Sequence, residues 1–94
     1  MSSPTAASGG LPEKPRLSRL FRMQYEEVQK AWVLLYPEGM VQLNDSSAEI
    51  LKLCTGEMDV DGIVATLEAK FSAPGIGPQI RDLLQEGVRR GWLQ

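Results

Sequence analysis

The chain has 94 residues, of which 43% are hydrophobic and 23% are charged, so length and composition fit one small folded domain. Its 10 basic residues stand against 12 acidic ones, which gives a formal net charge of -2. This balance excludes bulk electrostatic attraction to nucleic acid or to an anionic membrane. No apolar run reaches the roughly 20 residues of a membrane-spanning helix, and the N-terminus lacks the layout of a signal peptide. We therefore expect a cytoplasmic protein.

Histidine is absent, and Cys54 is the one cysteine. A nucleophile activated by His, an imidazole metal ligand and an intrachain disulfide are therefore all excluded. One thiol also cannot build a tetrathiolate zinc site. We expect a protein that is not an enzyme and that needs no cofactor and no metal.

The first part of the chain differs in composition from the rest. Residues 1–14 are rich in Ser, Ala, Gly and Pro and carry only two charged side chains. Such a segment buries too little apolar surface to order itself. We predict a flexible tail over residues 1–14 and a folded domain over residues 15–94.

Strand patterns come first in this domain. Phe21, Met23 and Tyr25 alternate with polar residues, which is the period of a half-buried strand. The run AWVLLY, residues 31–36, is continuously apolar and rich in strand-forming residues, so we predict a central strand there. A type I turn fits the following YPEG, and a short third strand is predicted over residues 40–43.

Helix patterns follow the strands. Ser46 and Glu49 fit a capping box at the start of a first helix, which Gly56 is predicted to end. Asp59 is the predicted N-cap of a second helix, whose apolar stripe recurs at helical spacing and consists of Val60, Ile63, Val64, Leu67 and Phe71. The loop SAPGIGP then breaks this helix.

A third helix closes the chain. Pro78 suits its first turn, and Gly91 is predicted to end it. Trp92 and Leu93 are predicted to fold back onto the core. Three strands followed by three helices predict an α+β fold, a three-stranded antiparallel sheet covered by helices, with a topology like that of a winged helix-turn-helix domain.

None of the candidate reactive side chains predicts catalysis. Cys54 lies among apolar neighbours and is interpreted as a core residue. Glu26 and Glu27 at a turn, like Asp59 and Asp61 at a helix start, are interpreted as solvated or capping groups.

The arginines of the third helix offer an alternative function. Arg81, Arg89 and Arg90 would form a phosphate-binding patch in a winged-helix DNA-binding transcriptional regulator. Asp82 and Glu86 share that helix, whereas DNA-reading helices of this kind present a clearly basic face. We therefore expect that the protein does not bind nucleic acid, and we keep the DNA-binding regulator as the alternative.

The third strand suggests a different kind of site. Neither a charge nor a proline guards residues 40–43, and an unguarded sheet edge is a liability unless something pairs with it. An added peptide strand would gain main-chain hydrogen bonds there and side-chain contacts from a neighbouring helix. The N-terminal tail and a second copy of the chain, in an edge-paired or swapped homodimer, are the other occupants that the pattern allows.

Four segments together resemble the PqqD family, whose members are small proteins of pyrroloquinoline quinone (PQQ) biosynthesis. They are PRLSRLFRMQ, WVLLYPEGMVQLND, SAEILKLCTG and the closing RRGWL. The resemblance runs from Pro15 to Gln94, and the order of the four segments makes it more specific than any one of them.

The resemblance implies a peptide chaperone. Members of the family bind the ribosomally made precursor peptide PqqA and present it to the radical SAM enzyme PqqE, as one of the recognition elements that serve peptide-modifying systems. The peptide adds as a strand beside the third strand, in a groove closed by the third helix. The implied peptide-binding residues of this chain are Met40, Val41, Gln42, Leu43, Arg81, Leu84, Gln85 and Val88.

Overall fold

The computed structural model describes residues 11–94 and has the predicted α+β architecture, three strands followed by three helices. The strands are β1 (Arg22–Glu26), β2 (Ala31–Tyr36) and β3 (Gly39–Gln42). The helices are α1 (Asp45–Lys52), α2 (Val60–Phe71) and α3 (Gly77–Arg89). Residues 1–10 of the predicted tail lie outside the described residues. Leu11 is half-buried and packs against the core, so the packed part of the chain begins before the predicted boundary at Pro15.

The sheet is an antiparallel meander with the order β1-β2-β3, and the apolar run of β2 is its central strand, as predicted. Leu34 of β2 lies between Met23 and Val41, and this row packs against the helices. Because successive side chains of a strand point to opposite faces, Val33 and Leu35 lie on the other face of the sheet. The sheet therefore has one face covered by helices and a second face that carries apolar residues along its middle.

The first helix starts and ends earlier than predicted. Asn44, not Ser46, is the N-cap of α1, and its side chain accepts a hydrogen bond of 2.8 Å from the Ser47 N–H. The predicted capping box is wrong because the neighbouring Asn44 already fills that role. The helix ends at Lys52, so the predicted stop at Gly56 is also wrong. Gly56 adopts a φ of 86° in the bend that follows.

The other helix boundaries agree with the sequence prediction. The Asp59 side chain caps α2 by accepting a hydrogen bond of 2.8 Å from the Gly62 N–H. Pro78 lies in the first turn of α3, and Gly91, at a φ of 83°, follows its end. These are the positions at which proline and glycine cost least in a helix.

The core lies between the helices and the covered face of the sheet. Its buried side chains are Leu34, Leu43, Ala48, Ile50, Leu51, Cys54, Ile63, Leu67, Ile80, Leu84, Trp92 and Leu93. Burial raises the pKa of the Cys54 thiol to about 12, so this cysteine is a packing residue, as predicted. Trp92 and Leu93 fold back as predicted, since the Trp92 N–H donates to the Gly87 carbonyl at 2.8 Å.

The last residues of the chain bind the segment before β1. The Gln94 N–H donates to the Arg16 carbonyl at 2.9 Å, and the Arg16 N–H donates back to the Gln94 carbonyl at 3.0 Å. The backbone of Leu17 forms a bridge with Leu93 beside this pair. Both ends of the described chain are thus held together at one side of the domain. Among residues 11–94, no helix is long and apolar enough to cross a membrane.

Candidate functional site

One edge of the sheet is open. Within residues 11–94, β3 pairs with β2 alone, so its outer side has no strand partner. The Leu43 N–H donates to the Trp32 carbonyl of β2 at 2.8 Å. Backbone groups of an antiparallel strand point alternately to its two sides. Val41 therefore also points its N–H and C=O towards β2, whereas Met40 and Gln42 point theirs outward from the edge.

The side chains of this edge divide in the same alternating way. Met40 is 46% exposed and Gln42 is exposed, on the face of the sheet away from the helices. Val41 is half-buried, and Leu43 belongs to the core. Among the predicted peptide-binding residues of this strand, Met40 and Gln42 thus have exposed side chains as well as backbone N–H and C=O groups that point away from β2. Val41 and Leu43 hold the strand onto the core.

A groove of about 320 Å³ opens among the three helices, and its lining includes Ser46, which follows β3 in the chain. Its apolar wall comes from all three helices and from the loop between α2 and α3: Ile50, Leu67, Phe71, Ala73, Ile76 and Ile80. Ser46 and Gln79 supply polar atoms. Phe71 is 48% exposed, so the groove presents an aromatic ring to solvent. No Cα atom of α3 lies within 8 Å of a Cα atom of β3.

The predicted residues of α3 do not form one surface. Arg81 reaches the start of α2, where its guanidinium donates to the Asp61 carboxylate at 2.8 Å. Leu84 is 0% exposed, so it contributes to the core and not to an accessible groove. Gln85 and Val88 are half-buried.

The groove uses residues that the sequence prediction assigned differently or left out. Ile76 and Gln79 at the start of α3 line it, on a side of the helix that Arg81 does not share. Phe71 was predicted to belong to the apolar stripe of α2, yet half of its surface is exposed. The one sequence signal for this groove is the apolar Ile76 in an otherwise Gly- and Pro-rich loop.

The charges of α3 are largely neutralised within the domain. Arg89 and Arg90 both bind the carboxylate of Glu86 on the same helix, and Arg81 binds Asp61. Among residues 11–94 there is no group of three or more His, Cys, Asp and Glu side chains that could hold a metal ion. The open strand edge and the apolar groove suit the binding of an extended chain better than chemistry on a small substrate.

Together the fold and the site define a small α+β recognition domain, which has a strand edge without a partner among residues 11–94 and a groove among its helices. Residues 31–93 match the sequence profile of the family described as Coenzyme PQQ synthesis protein D (PqqD). The chain belongs to the PqqD family, as its sequence resemblance implied.

Similar proteins and a similar structure agree with this assignment. A protein named PqqA binding protein from Methylococcus capsulatus is 47% identical over 78 residues, which cover 83% of this chain and 84% of the relative. Its namesake from Pseudomonas aeruginosa strain UCBPP-PA14 is 48% identical over 85 residues, 89% of this chain and 92% of the relative. The solution structure of the PqqD part of Methylobacterium extorquens PqqCD, described as a stand-alone recognition element for ribosomally synthesised and modified peptides, matches with a TM-score of 0.67 at 31% identity. That match covers 85% of this chain and 87% of the other.

Proposed function

We propose that this chain is a peptide chaperone of PQQ biosynthesis, which binds the precursor peptide PqqA as an added strand on β3 and presents it to the radical SAM enzyme PqqE. The observation that carries the proposal is the edge of β3, which has no strand partner among residues 11–94 and where Met40 and Gln42 direct their backbone groups outward. The names of the relatives support PqqA as the peptide.

The hydrogen bonds of the edge alone give weak binding. Met40 and Gln42 together offer two N–H donors and two C=O acceptors to an added strand. Each such bond contributes about 0.5–1.5 kcal/mol net. Association costs on the order of 4–15 kcal/mol in lost freedom, so the edge needs help from side-chain burial.

The groove among the helices supplies that burial. Ser46 lines the groove and follows Gln42, the last residue of β3, closely in sequence, so at most about 14 Å of chain separates the strand end from the groove. We infer that a peptide leaving the edge at this end reaches the groove. Its apolar wall, with the exposed ring of Phe71, suits one large aliphatic or aromatic side chain of the peptide. Burying such a side chain contributes about 1.5–3 kcal/mol.

Presentation to PqqE requires no catalytic group in this domain. A peptide held on the edge of β3 keeps its remaining segment free to enter the active site of an enzyme to which the domain is bound. A tether of this kind raises the effective concentration of the segment to roughly the millimolar range when its length matches the span.

The test is a titration of the isotopically labelled full chain with synthetic PqqA, read by amide NMR. We expect shifts at Met40, Gln42 and the residues that line the groove. Shifts at Arg81, Gln85 and Val88 would extend the site to the other side of α3. The variant Gln42→Pro removes an outward N–H and places a ring where the added strand would lie, so its affinity should fall at least about tenfold.

Gln42→Ala is the matched control, because it loses the same side chain but keeps the N–H. We expect its affinity to stay within about threefold of the wild type, since exposed side chains contribute little. Equal affinities of a folded Gln42→Pro variant and the wild type would contradict strand addition at β3. Sedimentation of both proteins without peptide would show whether a second copy competes for this edge.

A further inference from the structure

A second groove lies at the end of the sheet where β1 begins and β2 ends, apart from the peptide site. It encloses about 490 Å³. Two arginines, Arg19 and Arg22, line it together with apolar side chains that include Leu20, Leu35 and Pro37. The peptide-binding function proposed above does not use this surface.

The backbone holds one wall of this groove in a fixed position. The Phe21 N–H donates to the Ser18 carbonyl at 2.9 Å, which closes a β-turn with Arg19 and Leu20 at its two central positions. The Ser18 N–H donates in turn to the Trp92 carbonyl at 2.7 Å. The turn is thus anchored to the C-terminal segment of the domain, so binding there has little backbone freedom to remove.

The charge of the groove is not balanced within the domain. Arg19 and Arg22 are exposed, and neither forms an ion pair with any residue of 11–94. No carboxylate of residues 11–94 lines the groove. The arginines of α3 differ, because Arg81, Arg89 and Arg90 all bind carboxylates. In a chain with a net charge of -2, this groove is a local site of unpaired positive charge.

The apolar part of the groove indicates what kind of anion fits. Leu20 is 67% exposed at the tip of the fixed turn, and Leu35 and Pro37 also line the groove. A phosphate backbone would leave these apolar side chains without partners. A protein segment with carboxylates on either side of an apolar residue would satisfy both the guanidinium groups and the apolar wall.

The groove lies close to the peptide edge without overlapping it. Arg22, Leu35 and Met40 are register partners across the three strands, on the face of the sheet away from the helices. Two strand spacings separate Arg22 from Met40, a distance of about 10 Å. Phe21 and Tyr36 of the helix-covered face also line the groove, so a protein bound there would lie at the end of the sheet, about two strand spacings from the edge of β3.

We propose that this groove, centred on Arg19 and Arg22, docks an acidic surface of the enzyme that receives the peptide, an inference that rests on the presentation step proposed above. Docking at one end of the open face leaves the β3 edge free for the peptide. It also brings the bound peptide beside the enzyme, which is what presentation requires.

The test compares the affinities of variants for purified PqqE and, separately, for synthetic PqqA. Arg19→Glu should raise the Kd for PqqE about tenfold and make that affinity less dependent on salt. Lys30→Glu is the matched control, because this substitution makes the same change in net charge. Lys30 is an exposed cation in the turn at the other end of β1, away from the groove. We expect it to change the Kd for PqqE by less than about twofold.

Arg22→Gln tests the second arginine of the groove, and this variant should also bind PqqE more weakly than the wild type. Affinity for PqqA should stay within about twofold of the wild type in Arg19→Glu. Equal PqqE affinities of the wild type and both arginine variants would overturn the docking inference while leaving peptide capture intact. If the wild-type protein does not bind PqqE at all, the presentation step and the docking inference both fail. The titration with PqqA then still tests whether the chain binds the peptide.

Discussion

Asn44 shows how a single side chain connects the two parts of the proposed peptide site. It directly precedes α1, and by capping that helix it fixes where the chain turns from the strand edge into the helices. Ser46 is thereby free of a capping role and lines the groove instead. The cap therefore sets the position of the groove relative to the outward backbone groups of Met40 and Gln42.

Asn44→Ala should destabilise the domain by about 1 kcal/mol, because the Ser47 N–H loses its side-chain acceptor. Ser46→Ala should cost less than about 0.5 kcal/mol, since this side chain caps nothing. Urea unfolding of the two variants checks the difference. Asn44→Asp is the control that keeps an acceptor and should stay near the wild type. Equal costs for Asn44→Ala and Ser46→Ala would contradict the assignment of the cap.

At the scale of the elements, α3 and the residues that follow it form one packed unit. Gly87 is buried, and a Cβ atom placed there would lie 2.8 Å from Leu93 Cδ1 and 3.1 Å from Leu93 Cγ. The Gly87 carbonyl also accepts the Trp92 N–H at 2.8 Å. The absence of a side chain at Gly87 is what allows the C-terminal residues to fold back so closely over the end of the helix.

Gly87→Ala tests this close approach. Alanine favours a helix interior over glycine by about 1 kcal/mol, but overpacking against Leu93 costs about 1–3 kcal/mol. We therefore expect a net loss of stability of about 1 kcal/mol in thermal or urea unfolding. In a Leu93→Ala background the clash is gone, and the same substitution should become neutral or stabilising. A stabilising Gly87→Ala in the wild-type background would contradict the packing argument.

A helix or strand could be predicted from the sequence where the residues that determine it are close together in the chain. The alternation in β1, the apolar run of β2 and the caps at Asp59 and Gly91 each depend on residues within one turn or strand. The predicted start of α1 is wrong because Asn44 and Ser46 are both good N-cap residues, and local preference does not choose between them.

The orientation of α3 could not be read from the sequence. A buried stripe and a groove lining have the same helical spacing, so Leu84 and Gln79 cannot be told apart by pattern. What fixes the rotation of the helix is its packing in the core, where Ile80 and Leu84 are buried. At its start, a Cβ atom at Gly77 would already lie 3.4 Å from Val64 Cγ1 of α2. The strand half of the site was predictable, because an edge strand is recognised by its place in the order of strands.

At the scale of the whole molecule, the sheet provides a common frame for the two proposed surfaces. The peptide edge on β3 and the arginine groove at the start of β1 are both attached to the rigid central strand β2. The helices pack against one face of this sheet, and ion pairs connect the helices to one another. Glu49 of α1 binds Lys52 on its own helix at 3.1 Å and Lys70 of α2 at 2.5 Å.

The Glu49 pairs predict a specific dependence of stability on pH. Hydrogen bonds from Lys70 and then Lys52 lower the pKa of Glu49 below its ordinary value of 4.5. A carboxyl whose pKa is lowered by folding stabilises the folded state above its unfolded pKa, and this contribution is lost as the pH falls through the folded value. Glu49→Gln should therefore cost about 0.5–1 kcal/mol at neutral pH, the range of partly exposed ion pairs.

The difference between Glu49→Gln and the wild type should shrink once the pH falls below 4.5 and should vanish below the lowered pKa of Glu49. Urea unfolding of both proteins from about pH 7 to about pH 3 measures it. Glu57→Gln is the control, since Glu57 is exposed and forms no ion pair with the rest of the described chain. A constant difference across the whole range would mean that Glu49 stabilises the molecule through packing or through its neutral form. In that case the link between α1 and α2 would not depend on its charge.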